Sequence, residues 1–161
     1  YEQGRVRSEQ FDYSKILDLA FLASEGDVVN LPTLLEACRD ADPIVRYWGA
    51  MGCNVLGEAA ASEGAGDIRK LLSDSQPAVR LVATAAMYAI GYRDEAKSAA
   101  IAELEHEQDG PESIMLINTL ARVDAIDDIQ EDWLNRKAKP TKKNEYLRRF
   151  VERVKLERAE R

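Results

Sequence analysis

The sequence predicts an all-α protein, an α-solenoid of stacked helical hairpins with a period of 34 residues and a C-terminal capping helix. The first observation behind this is a repeat. The stretch DPIVRYWGAMGCNVLG, residues 42–57, returns 34 residues later as SQPAVRLVATAAMYAIG, residues 75–91. Pro43, Val45, Arg46, Leu56 and Gly57 fall on Pro77, Val79, Arg80, Ile90 and Gly91, and the same step leads to Pro111 at the head of PESIMLINTLARV. The second observation is that apolar residues recur at helical spacing in each unit, and no segment carries a strand signal. A hairpin of this size cannot bury its apolar face alone, so it must stack on neighbours.

Taken in order, residues 1–13 are polar, with Phe11 and Tyr13 as anchors. Ser14 is placed to cap a helix whose stripe is Ile16, Leu17, Ala20, Phe21 and Ala23, and Gly26 ends it. Asn30 is placed to cap the next helix, with Pro32 in its first turn and Leu31, Leu34, Leu35 and Cys38 inward. Asp42 and Pro43 start a third, since Asp accepts from orphan amides and Pro at the first helical position loses no hydrogen bond. Its face reads Ile44, Val45, Trp48, Met51, Gly52, Val55 and Leu56. Gly49 and Gly52 each cost about 1 kcal/mol against Ala inside a helix, which suits a close approach by a neighbour.

Residues 58–66 read as a loop or a ragged start, with Asp67 heading IRKLL. The Pro77 helix carries Val79, Val82, Ala83, Ala86 and Ile90, and the Pro111 helix carries Ile114, Ile117, Leu120, Ala121 and Val123. Asp127 is placed to cap a short helix through Trp133 and Leu134, and NRKAKPTKK reads as a hydrophilic linker. The last helix puts Tyr146, Leu147, Phe150, Val151 and Val154 on one stripe, as a cap on an array does. The organisation is one domain: a repeat array over 1–135, about three repeats, with a basic linker and capping helix over 136–161. Trp48, Leu56, Val79, Ile90, Leu120 and Phe150 are expected inside, and Tyr47, His106 and Arg158 outside.

Charge divides the chain. The net charge of −7 conceals a tail, 136–161, with 11 basic and 4 acidic residues, while 1–135 hold 11 basic and 25 acidic residues for a net of −14. An acidic body argues against nucleic acid as a partner, because duplex binding draws on Lys and Arg. No apolar run approaches the roughly 20 residues of a membrane span, so no membrane partner is expected. The first residue is Tyr1 and no apolar signal segment follows, which reads as an excised fragment or a mature piece.

The pattern D-P-x-V-R, small residues, then L-G resembles the short HEAT-like repeats. In that family the Asp before the proline and the Arg after it commonly link adjacent repeats. Asp42, Arg46 and Arg80 occupy those slots, whereas Gln76 and Ile114 do not, so the resemblance implies an incomplete ladder. Tyr47 lies about 100° around the helix from Trp48 and is the better surface candidate. Asp42, Arg46, Tyr47 and Arg80 are therefore the candidate interaction or inter-repeat residues, with a repeat-turn bond as the plainer role for Arg46.

A narrower resemblance covers most of the chain. FDYSKILDLAFLAS, NLPTLLEACRDADPIVRYWGAMG, a second P-x-V-R unit and PTKKNEYLRRFVERV are, in that order, similar to the C-terminal region of bacterial arylsulfatase-type enzymes of the heparan N-sulfatase-like kind. This implies an appendage to a calcium-dependent, exported sulfatase domain, hence a periplasmic or extracellular address and an adjacent catalytic domain as partner. The formylglycine motif C/S-x-P-x-R of that family is matched by neither Cys38 nor Cys53.

No catalytic, cofactor-binding or metal-ligating set is expected in 1–161. His106 is the single histidine, in ELEHEQD, and Glu103, Glu105, Glu107 and Asp109 alternate around a helix. Cys38 and Cys53 fall on the two helices of one repeat, where they could bridge or simply pack as small apolar groups. The expected function is a non-catalytic interaction module. The alternatives are a free-standing protein-binding adaptor and, less favoured, a phycobilin-lyase-like or DNA-glycosylase-like enzyme.

Overall fold

Three prolines open three helices, each at the first helical residue, where a missing N–H leaves no bond unmade. These are the second helices of three hairpins in the computed structural model, which describes residues 13–106, 111–137 and 145–161. Every regular element among the described residues is helical. The order is α1 (Tyr13–Glu25), α2 (Leu31–Ala37), α3 (Pro43–Leu56), α4 (Ala61–Leu71), α5 (Pro77–Ala89), α6 (Arg93–Glu103), α7 (Pro111–Arg122), α8 (Glu131–Lys137) and α9 (Glu145–Ala159). Short 3₁₀ turns at Val28–Asn30 and Gly57–Ala60 precede α2 and α4. The fold is an all-α solenoid of helical hairpins, α2/α3, α4/α5 and α6/α7.

The second helices stack directly: α3 lies on α5, and α5 on α7. The first helices touch far less, since α2 meets α4 lightly and α4 has no substantial contact with α6. A layer whose members pack closely is the inner side of a curved array, so α3, α5 and α7 form the inner face. α1 covers α3 at one end, and α9 packs on α7 and α8 at the other. Trp133 of α8 is buried and its indole donates 2.9 Å to the Leu104 carbonyl, an orphan acceptor at the end of α6.

Burial departs from the single stripes read along the chain, and the reason is the number of neighbours. α3 is touched by α1, α2 and α5, so three of its sides are covered. Its fully buried residues are Val45, Gly49, Ala50, Gly52, Cys53 and Asn54. Trp48 and Leu56, expected inside, are half-buried at the borders of that surface, and Ile44 and Val55 are exposed. Tyr47, expected outside, is half-buried too, edge-on to Trp48 with ring centroids 5.6 Å apart. α5 is buried on nearly all sides, including Val79, Val82, Ala83 and Ala86, with Ile90 just beyond it.

In α7, Leu120 is buried as read, and so is Val123 just beyond it, but Ile114 and Ala121 are exposed and Leu116 takes a core place. In α1, Leu19 and Ala23 face the core, whereas Leu17 and Phe21 are exposed. In α9, Leu147, Val151 and Val154 are buried, Phe150 is half-buried and Tyr146 exposed.

Several caps also move. Residues 61–66 are helical, so Asp67 sits inside α4, buried, paired with Arg39 and Lys70 rather than heading a helix. Its two glycines oppose helix by about 1 kcal/mol each against Ala, and burial of Gly64, Ala65 and Ile68 on that side of α4 offsets the cost. Ser14 lies within α1. Asn30 makes no side-chain cap; its amide bonds Glu25, and Asp27 caps the preceding 3₁₀ turn. Asp127 lies in the turn before α8 and pairs with Arg161 at 2.8 Å. Arg158 is half-buried because it bonds the turn carbonyls of Ile126, Asp127 and Ile129. His106 is exposed. Phe11 and most of the linker, 138–144, lie outside the described residues.

The glycines of α3 mark the tightest seam. A Cβ on Gly49 would sit 2.7 Å from both the Cys38 nitrogen and the Leu34 oxygen, and one on Gly52 would overlap the Leu34 side chain. Gly66, on the exposed side of α4, has nothing within 4 Å. Gly49→Ala should therefore destabilise the chain by about 1–3 kcal/mol. Gly66→Ala should stabilise it by about 0.5–1 kcal/mol through helix propensity. Urea midpoints moving in opposite directions check this; two shifts of one sign would contradict the seam.

Candidate functional site

Two features cross the repeats, a set of buried ion pairs and, on the inner side, a groove. Arg46, one turn into α3, reaches over the repeat boundary to Asp74 in the turn before α5, with Nε–Oδ2 2.7 Å and Nη2–Oδ1 3.0 Å. Its third nitrogen donates to the carbonyls of Asp40 and Ala41. Arg80 repeats the arrangement on α5, gripping Glu103 at 2.9 and 2.6 Å and the carbonyls of Asp74 and Ser75. The four side chains are only 15% and 6%, then 14% and 7% exposed. Each arginine thus ties its own turn to the next repeat by a bidentate fork.

The acids are not the residues before the prolines. Asp42 caps its own helix, accepting from the Ile44 amide at 2.8 Å. The repeating acid lies two residues earlier: Asp40 and Asp74, 34 apart, each accept from the amide two residues on, Asp42 and Gln76. Asp40 pairs with Lys15 of α1 at 2.8 Å, so the ladder starts one unit before Arg46. Ile114 holds the arginine slot in α7, and the ladder stops there. Burial alone would raise the Asp74 pKa, but Arg46, the Gln76 amide and the Arg80 charge together hold it below its ordinary value.

Of the four sequence candidates, only Tyr47 lines the groove. This groove, about 250 Å³, runs across the inner face. Tyr47, Met51 and Asn54 come from α3, Leu81, Val82 and Ala85 from α5, and Met115, Asn118, Thr119 and Arg122 from α7. Burial raises the pKa of the Tyr47 phenol, so it stays protonated at neutral pH. Asn54 is the notable member. It is 7% exposed, and its Oδ1 is the one buried side-chain polar atom without a hydrogen-bond partner among the described residues. Asn54 and Arg122 were not legible as site residues, because each reads as an ordinary polar position of an amphipathic helix.

Other candidates are accounted for by packing. A larger groove, about 530 Å³, lies between α1 and α2, next to Ser14 where the described chain begins, and the Lys15–Asp40 pair is among its lining. Cys38 and Cys53 are free and buried; a hydrogen bond with Cys53, together with burial, pushes the Cys38 thiol up, so it is no ready thiolate. Glu103 serves Arg80, Glu105 lies 3.8 Å from Arg136, and Glu107 and Asp109 fall outside the described residues. Among the described residues no group of three or more His, Cys, Asp or Glu is placed to hold a metal ion.

Residues 31–121, more than half of the chain, match the family described as HEAT repeats. No curated protein and no solved structure matches the chain.

The Arg46–Asp74 pair generates a pH-dependent expectation. Asp74 has a depressed folded pKa, so its stabilisation is complete above its unfolded value, about 4, and is lost as pH falls through the lower folded value. Arg46→Ala leaves that carboxylate buried without its cation and should destabilise by about 3–5 kcal/mol at neutral pH. In the variant, burial is no longer opposed by Arg46, so Asp74 protonates more easily and the penalty is relieved. The gap between wild type and variant should therefore narrow from pH 7 towards pH 4 in urea titrations. A gap independent of pH would mean that the buried charge is not what Arg46 offsets.

Proposed function

Since the chain belongs to the HEAT repeat family, we propose that it is a non-catalytic interaction module that holds another polypeptide on its inner face. The observation that carries this reading is the groove across α3, α5 and α7, which brings polar side chains of α3 and α7 together over an apolar floor from α5. The buried arginines are engaged within the fold, which supports a structural rather than catalytic use of them. The net charge of −14 over residues 1–135 supports a protein partner over nucleic acid. No described helix is long and apolar enough to cross a membrane.

A finer reading makes the module the C-terminal domain of an exported bacterial sulfatase acting on sulfated glycans, with the catalytic domain as its neighbour. Its support is the order of sequence blocks, from FDYSKILDLAFLAS to PTKKNEYLRRFVERV. Sulfate hydrolysis of that kind needs an activated nucleophile and a cation, so it would reside in the neighbour.

Two measurements test the proposal. With 4-nitrophenyl sulfate and calcium, residues 1–161 should give no turnover above buffer; turnover would overturn the non-catalytic reading. Proximity labelling in the native host should lose its specific targets when Asn118→Arg blocks the groove, and keep them when Ala102→Arg alters the exposed side of α6. Identical target sets for both variants would remove the inner face as the working surface.

A further inference from the structure

We propose that copies of this chain associate end to end, with α8 and α9 of one copy seated on α1 and α2 of the next. The first argument is an incomplete unit. Among the described residues α3, α5 and α7 each have neighbours of the inner row on both sides, whereas α1 has α3 alone. α1 buries Leu19 and Ala23 towards the array and leaves Leu17 57% and Phe21 69% exposed on its other side. The groove between α1 and α2, about 530 Å³, belongs to the same open end. Its lining residues Thr33, Glu36, Ala37, Asp40 and Val45 lie 34 positions before Asp67, Lys70, Leu71, Asp74 and Val79. In that next unit the corresponding place is filled: α2 lies between α3 and α4, and Arg39 at its end pairs with Asp67. The groove therefore has the form of a seat for a first helix, and the open face of α1 that of a seat for a second.

The second argument says what fills both seats. α8 and α9 add one more pair at the far end: α9 packs on α7, and Trp133 of α8 bonds the end of α6. α9 buries Leu147, Val151 and Val154 and leaves Tyr146 61% and Leu156 65% exposed on the side away from the array. α8 ends in Arg136 and Lys137, as α2 ends beside Arg39. Charge then orients the copies. Residues 13–42 hold six acidic and two basic residues, and 136–161 hold four and eleven. Two first ends, or two last ends, would oppose like charges, whereas a last end on a first end opposes unlike ones. That arrangement brings the basic last turn of α8 to the exposed Asp18 and Glu36, and Tyr146 and Leu156 to Leu17 and Phe21. A contact between two different surfaces leaves one of each unused, so it extends the solenoid without closing it.

The test is sedimentation velocity on the full chain from about 5 to about 500 µM, the range in which a small interface associates. The mass of wild type should rise with concentration past that of a dimer. Leu17→Glu and Leu156→Glu, each at an exposed position, should keep the thermal midpoint and stay monomeric alone. Mixed in equal amounts they should form a heterodimer and stop there, since each keeps the end that the other lacks. Glu36→Arg should weaken association about tenfold by opposing the basic end of α8. A wild type that stays monomeric throughout overturns the proposal. So does a closed dimer, a mixture that remains monomeric, or undiminished association of Glu36→Arg. If a glutamate lowers the midpoint, Leu17→Gln and Leu156→Gln carry the same expectations and the same refutations.

Discussion

Everything in this array depends on how closely the second helices can approach their neighbours. α3 meets the backbone of α2 through Gly49, where even one added carbon would strike main-chain atoms of Leu34 and Cys38. Backbone cannot step aside as a side chain can, so this contact fixes the relative placement of the two helices. α5 achieves the same closeness with alanines: Ala83 and Ala86 are fully buried between hairpins. Small residues therefore set the spacing, and the larger Leu34, Ile68, Leu81 and Met87 fill what remains. Helix propensity is sacrificed at the glycines, by about 1 kcal/mol each, for contacts that the whole stack then inherits.

Onto that spacing the ion pairs add register. A buried pair contributes little net stability against an apolar replacement, because desolvation offsets most of the attraction. What the Arg46–Asp74 and Arg80–Glu103 forks supply is direction: a bidentate contact is satisfied in one geometry only, and each arginine also closes the turn of its own hairpin. The outer side repeats the logic more weakly, with Arg69–Glu95 and Lys97–Asp124 bridging successive first helices and turns in partial exposure to water. The excess of acid in the body is thus partly the counterpart of these cations. At the C-terminal end the pattern changes: α9 pairs Arg148 with Glu152, Arg149 with Glu145 and Arg153 with Glu157 within itself, and reaches its neighbours through Arg158.

The fold was legible because its signals are local. Proline at the first helical residue and glycine after the last act on the backbone directly, and a period of 34 repeats them in register. Which side of each helix is buried was less legible, since a one-stripe reading assumes one neighbour. Trp48 and Leu56 fail that assumption on α3, and so do Leu17 and Phe21 on α1, where the more deeply covered residues are Leu19 and Ala23. The ladder was misread for a related reason. Its acid was sought beside the proline, at Asp42 and Gln76, whereas the turn places Asp40 and Asp74 within reach. Asn54 was invisible altogether: a polar residue on a helix signals solvent unless α5 is known to pack on α3.

Asn54 then poses a question about selection between stability and use. A leucine there would bury apolar surface and leave no acceptor unpaired, so folding alone favours the change. The rest of α3 obeys folding closely, down to glycines where nothing larger fits. Among the described residues Asn54 holds the one buried side-chain polar atom left unpaired, a local conflict in a helix otherwise consistent with its packing. The groove around it joins three consecutive repeats, so its shape exists only when all three are stacked in register. The glycine seam and the arginine forks that secure the register are therefore also what sets Tyr47 and Asn54 of α3 opposite Asn118 and Arg122 of α7 across α5.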